Sequence, residues 1–439
     1  MEEAMPDERW WRRGLVIGTG VVLALALLAV TAVAAGLTWT DPVTVSTNSP
    51  PAVKVDAVDM ALAGDGSLQA VWVEKVTDGT TQFNVLHASA TYSAGAGWTW
   101  SDPDTVLSDQ YSPASLAVDG SNRLHVTYPN NDKSSIRFSR GTWDGSSWSW
   151  VPSVLNSPPN FATTQADTAG WPVIAVSGST LHVVWAEIDD GPYHMFQIVH
   201  GASTDWGDTW PQELTTEVYS STRTSQYPDM VVGQDGKLHV AWEEGASTGA
   251  VIYYTYGTPS GNSISWSTPI TVSGTMTDCH RPSIAIVGDR LYVAWGQTVG
   301  DKTNQDVYYS TKLVTEGTWP TPTKLPNSHI ALGNTAPTYV SPRILATSSG
   351  RVVIVWDGYV SAEQNGKEDI YFSETADITD SGAWTERVNV SSNAGASYGP
   401  TVVLDDGGVV HVMWIDSFSA VYSHSQYQVF LPLVLKSYQ

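Results

Sequence analysis

The feature that most constrains this chain is a phrase that recurs seven times. It starts at a Pro, alternates apolar and polar residues, turns at Gly or Asp, and closes on Leu-His-Val-x-Trp or a close variant. The clearest copies are PASLAVDGSNRLHVTY (113–128), PVIAVSGSTLHVVW (172–185), PDMVVGQDGKLHVAW (228–242), PSIAIVGDRLYVAW (282–295), PRILATSSGRVVIVW (342–356) and PTVVLDDGGVVHVMW (400–414). A weaker copy, VDMALAGDGSLQAVW, ends at Trp72. The closing aromatics Trp72, Tyr128, Trp185, Trp242, Trp295, Trp356 and Trp414 are 56, 57, 57, 53, 61 and 58 residues apart. A period that regular means stacked structural units.

Strict alternation across a turn is the signature of a β-hairpin, here strands A and B. A third apolar run, strand C, follows at Phe83, Ser135, Phe196, Val251, Asp306, Asp369 and Ala420. A fourth, strand D, opens at a Trp: Trp39, Trp100, Trp150, Trp210, Trp266, Trp319 and Trp384. Prolines next to several of these suit an edge strand. The first D precedes the first A. Pairing it with the last A–B–C set leaves no orphan strand, whereas an open solenoid leaves one at each end. The expected fold is therefore all-β: a seven-bladed β-propeller of four-stranded antiparallel blades over 37–426, its N-terminal strand closing the last blade. A six-bladed ring with one divergent unit is the competing arrangement.

The ends read differently. Residues 14–36 carry no charge and follow Arg9, Arg12 and Arg13. Such a run is long enough to span a bilayer, and the arginines keep its front end cytoplasmic. Residues 1–36 are thus expected to be an N-terminal hydrophobic helix. Ala32-Val33-Ala34 also matches a small-residue cleavage site, so signal peptide and retained signal-anchor are both open. Either way the remainder is exported, to the cell surface or beyond. Residues 427–439 form an apolar tail, read either as a surface-protein tail or as an extra edge segment.

With 21 basic and 44 acidic side chains the net charge is −23, which excludes a nucleic-acid backbone binder. The single cysteine, Cys279, excludes an intrachain disulfide, and Cys279-His280 lacks metal-ligand spacing. No cofactor or metal is expected.

The segment STDWGDTW, Ser203 to Trp210, falls in the turn from C to D. It matches every fixed position of the Asp-box pattern Ser-x-Asp-x-Gly-x-Thr-Trp, and so resembles the sialidase-like (Asp-box, BNR repeat) β-propeller superfamily. The other units are degenerate, as in TYSAGAGWTW at Thr91 and TWDGSSWSW at Thr142. Ser203, Asp205, Gly207 and Trp210 are read as structural: side-chain acceptors for the turn backbone, a positive-φ glycine and a core aromatic.

Antiparallel blades put the starts of A and C and the ends of B and D on one face. Two long connections, 156–170 and 326–340, lie there, and long loops on a rigid scaffold tend to carry function. In register on that face are Glu74, Glu187, Glu244 and Asp416, two residues past the B-strand aromatic, and Trp171, Tyr227, His280, Arg281, Tyr339, Arg343 and Tyr398 near the start of A. Aromatic rings and carboxylates there suit sugar recognition or acid–base work. The expected ligand contacts are Trp171, Tyr227, His280, Tyr339, Tyr398, Glu74 and Asp416. The sialidase resemblance implies an arginine clamp, for which Arg281, Arg343 and Arg223 are candidates, with Glu187 and Glu244 as candidate catalytic carboxylates. The first A strand has no Arg, and no Tyr–Glu pair is assignable. The leading expectation is an exported propeller that binds a glycan or protein; an exo-acting sialidase-type glycoside hydrolase and a structural or adhesive surface module are the alternatives.

Overall fold

The computed structural model describes residues 37–46, 53–76, 82–157, 168–245, 249–261, 263–299, 304–331, 339–358, 367–393 and 395–427. The hydrophobic helix expected over 1–36, residues 158–167 and 332–338 of the two long loops, and the tail from 428 onward lie outside the described residues. Among the described residues no helix is long and apolar enough to cross a membrane.

The chain divides into two compact units. The larger, residues 41–423, is a seven-bladed β-propeller. Every blade has the antiparallel order A-B-C-D. Blade 3 shows the plan: A is Ala169–Ser177, B is Thr180–Ile188, C is Phe196–Ser203 and D is Thr216–Tyr219. The A strands run along the inside of the ring. Each packs against the A strands of the blades before and after it, and the A strand of blade 7 (Ser397–Leu404) packs against that of blade 1 (Val53–Leu62). That last contact excludes both an open solenoid and a six-bladed ring.

Closure uses the N-terminal strand. Val43 and Thr44 pair with Tyr422 and Val421 on the C strand of blade 7. The Val45 amide then donates to Ala420 at 2.8 Å, and the Ala420 amide to Ser46 Oγ at 3.1 Å. In the smaller unit, Leu37–Trp39 pairs antiparallel with Tyr427 to Ser425.

The repeat's closing aromatics form the cores between blades. Trp72, Tyr128, Trp185, Trp242, Trp295, Trp356 and Trp414 are all at most 1% exposed. Burying each contributes about 3 kcal/mol. Outer strands are short where proline intervenes. Trp319-Pro320-Thr321-Pro322 delays outer pairing on blade 5 to Thr323–Lys324, followed by Ile330–Ala331, because proline offers no ladder donor.

The STDWGDTW turn staples blade 3 to blade 2. Asp205 accepts from Thr209 Oγ1 at 2.6 Å, from the Thr209 amide at 2.9 Å and from Ser203 Oγ at 2.7 Å. Gly207 has φ +85 and sits against the Phe138 ring. Trp210 Nε1 donates to Ser153 Oγ at 3.1 Å, and the Arg123 guanidinium lies 3.8 Å over the Trp206 ring.

Candidate functional site

The A strands do not start straight. Those of blades 3, 4, 5 and 7 carry a β-bulge at Gly170/Val173, Gln226/Asp229, His280/Ser283 and Tyr398/Thr401. Inside each bulge one residue just before a proline takes a left-handed backbone: Trp171 (φ 52), Tyr227 (φ 51), Arg281 (φ 52) and Gly399 (φ 62). Only the last is a glycine. A bulky residue at positive φ costs about 1–3 kcal/mol, and the framework must hold it there.

At Arg281 and Gly399 the framework does so through carboxylates on the neighbouring B strands. Glu243 Oε2 accepts from the Arg281 amide at 3.2 Å, and Asp357 Oδ2 accepts from the Gly399 amide at 2.9 Å. Asp357 Oδ1 also takes the Ser341 amide at 2.7 Å. Glu243 Oε1 lies 3.0 Å from His280 Nδ1. Both carboxylates are buried. Burial raises the Asp357 carboxyl above the ordinary range, while these amides and the nearby Arg281 pull it back down.

The bulge residues of blades 3, 4 and 5 touch one another. The Trp171 and Tyr227 rings are 4.6 Å apart at 52°. The Arg281 guanidinium stands 4.9 Å from the Tyr227 ring centre, and its Nη1 donates to Ser341 Oγ at 3.3 Å. Tyr339 stacks on His280 at 3.7 Å. Trp171, Tyr227, Arg281 and Tyr339 are all half-buried, so part of this arc over blades 3 to 6 reaches solvent. Burial raises both tyrosine hydroxyls above the usual phenol range, so they stay protonated.

Two residues further along the A strands, a second layer rings the axis. Asp59 accepts from the Leu116 amide at 2.8 Å and from Thr401 Oγ1 at 3.1 Å; Asp229 accepts from the Ile284 amide at 2.8 Å. Ser115 and Ser283 make the same link to Ile174 and Ile344. Arg343 occupies this register on blade 6. It is exposed although its strand is innermost, so water reaches the axis. Desolvation raises Asp59 and Asp229, and the Arg343 charge acts on both in the opposite direction.

The expected residues therefore separate. Arg281, Trp171, Tyr227, His280 and Tyr339 come together. Arg343 lies in the second layer. Arg223 is exposed and donates to the Gly249 carbonyl at 2.7 Å, near Tyr253 rather than Tyr227. Tyr398 packs with Val55 and Trp72 between blades 7 and 1. Asp416 turns to Ser397 and Ser417.

Glu74, Glu187 and Glu244 require a correction. The sequence register sets them around the axis, but they are at most 3% exposed. Each accepts from the indole of the tryptophan two residues before it: Trp72 at 2.9 Å, Trp185 at 2.7 Å and Trp242 at 3.0 Å. Two residues apart on a strand share a face, so the carboxylate follows its tryptophan into the inter-blade core. Glu243 and Asp357, one residue past the tryptophan, reach the neighbouring A strand instead. The adjacent pair Glu243-Glu244 carried this signal, since alternation allows only one of two neighbours on each face.

Solved structures with similar coordinates include a protein of unknown function from Dyadobacter fermentans (13% identity, TM-score 0.48, covering 76% of this chain and 97% of the other). Others are the NanB sialidase of Streptococcus pneumoniae (10%, 0.47, 86% and 69%) and an α-L-arabinanase of Penicillium chrysogenum (14%, 0.46, 90% and 100%). No family model matches the sequence, and no curated protein matches it. What this chain shares with these structures is the propeller fold.

Proposed function

We propose that this chain is an exported propeller of the sialidase-like, Asp-box kind that binds a carbohydrate at the cell surface or in secreted form. The observation that carries the reading is the arc of Trp171, Tyr227, Arg281 and Tyr339. Half-buried aromatic faces stack on the apolar faces of sugar rings, and a positioned guanidinium donates to hydroxyl or carboxylate oxygens. Strain at Trp171, Tyr227 and Arg281 supports a binding role, because backbone strain concentrates at functional sites.

Binding fits these residues better than hydrolysis. Glu187 and Glu244 are sealed against their indoles, and Arg223 stands apart from Arg281. A two-carboxylate glycosidase needs both groups on the scissile bond. Export rests on the charge-free run at 14–36 and its arginine flank.

The test is a glycan array with a parallel glycosidase panel on residues 37–439. Saturable glycan binding lost in Trp171→Ala and Arg281→Gly supports the reading. Glycoside release abolished by Arg281→Gly would convert it to an enzyme. Capture of a protein with no glycan response would move the ligand to protein.

A further inference from the structure

The Leu-His-Val histidines His125, His182, His239 and His411 share one register on the B strands of blades 2, 3, 4 and 7. In three of them Nε2 faces an aspartate of the A–B turn. His125 lies 3.0 Å from Asp119, His411 3.3 Å from Asp405 and His239 4.0 Å from Asp235. On blades 4 and 7 the other ring nitrogen meets a tyrosine hydroxyl, Tyr254 or Tyr422, at 2.7 Å.

Blade 3 departs from this plan twice. Its turn, Ser177-Gly178-Ser179-Thr180, is shorter and carries no carboxylate, and its C strand offers His200 in place of tyrosine. His182 Nδ1 lies 3.1 Å from His200 Nε2, and the two rings stack at 5.3 Å. A cavity of about 150 Å³ opens on the turn side of this pair, between blades 3 and 4. Ser177, His182, Ala202, Leu214 and Ile264 line it, with the exposed Glu213 at its rim. A cavity of about that volume accepts a benzene-sized molecule.

We propose that this cavity binds a small carboxylate with an apolar body, its carboxylate taking on His182 Nε2 the place that Asp119, Asp235 and Asp405 take in the sibling blades. The protons balance without uptake. Nε2–H of His182 donates to the ligand, and its Nδ1 accepts from Nε2–H of His200. Burial pushes His182 down to about 4 and His200 well below the usual imidazole range. Both rings are therefore neutral near pH 7, and recognition is a hydrogen bond between a neutral donor and an anion. The apolar body lies against Ala202, Leu214 and Ile264, while Glu213 opposes the anion from the rim.

The full-length protein is titrated with benzoate and, separately, with benzyl alcohol, by calorimetry. One-site saturable binding of benzoate, at least about tenfold tighter than benzyl alcohol, is expected. Ser177→Asp restores the sibling carboxylate and should weaken benzoate about tenfold or more. Ala202→Leu, which fills the cavity from the other strand, should do the same. Glu213→Gln should tighten it several-fold. Thermal melts confirm that each variant is folded. No saturable benzoate binding, equal binding of the alcohol, or indifference to both cavity-filling variants would overturn the site. Arg281→Gly should leave benzoate binding unchanged, so this result stands or falls apart from the carbohydrate reading.

Discussion

The indole nitrogen of Trp185 donates to Glu187 at 2.7 Å, and neither side chain is more than 1% exposed. Ser157 Oγ supplies a second hydrogen bond at 2.6 Å. Desolvation outweighs both and lifts the carboxyl to about 7, from 4.5 in the open chain. A raised carboxyl means that the folded state holds the proton longer. Stability is then fullest below the unfolded value near 4.5, and falls as pH rises from there to about 7. The ionisation penalty above pH 7 is roughly 3 kcal/mol. Glu187→Gln keeps an acceptor and cannot ionise. At pH 8 it should be more stable than the parent by about 1–3 kcal/mol, with the difference closing by pH 4.5. Thermal melts across that range check it; a variant less stable at pH 8 would refute the burial argument.

Arg281 supplies a test of strain. Its φ of 52 suits glycine, and its guanidinium reaches Tyr227 and Ser341. Alanine loses those contacts and keeps the strain; glycine loses them and relieves it. Arg281→Gly should unfold at higher denaturant than Arg281→Ala, by about 1 kcal/mol. Both should lose glycan binding equally. Urea titrations and array signals read the two effects separately.

Two substitutions probe the staple between blades 2 and 3. Asp205→Ala removes three hydrogen bonds from the turn and should cost about 2 kcal/mol. Gly207→Ala drives a Cβ into collision with the Phe138 ring, at a backbone that disfavours it. It should cost about 3 kcal/mol or more. Equilibrium unfolding checks the order; equal, small effects would mean that the turn is loosely docked.

Ring closure is tested at Val45, which is 5% exposed and bonded to Ala420. Val45→Asp buries an unpaired charge between the first and last segments of the ring. A loss of about 3 kcal/mol or more is expected. A melting curve unchanged from the parent would mean that the N-terminal strand contributes little to holding the ring closed.

Much of the fold was legible because burial repeats. Each blade needs one large aromatic on its B strand, so Trp72 through Trp414 mark the blades at a countable spacing. The leading Trp39 segment with no partner before it showed where the ring closes. The site was legible in part. Arg281, Tyr227 and Trp171 could be placed on one face because they precede the repeat's proline. Glu187 and Glu244 were misplaced because counting two residues past a tryptophan gives the strand end, not the side of the strand that faces the axis. Glu243, which does face the neighbouring A strand, was marked only by its place beside Glu244, and Asp357 has no such neighbour.

The sequence by itself determined the repeat and the strand order within each unit and pointed to the pairing of the two ends, since these follow from periodicity and from the cost of leaving strand edges open; the packing of the blade 7 A strand on that of blade 1 settled seven blades over six. Only the tertiary structure decided which polar groups meet. The bulges at Arg281 and Gly399 and the carboxylates that hold them come from different blades, 38 residues apart for Glu243 and Arg281. Contacts of that kind depend on blade twist and bulge geometry, which hydrophobic alternation does not encode.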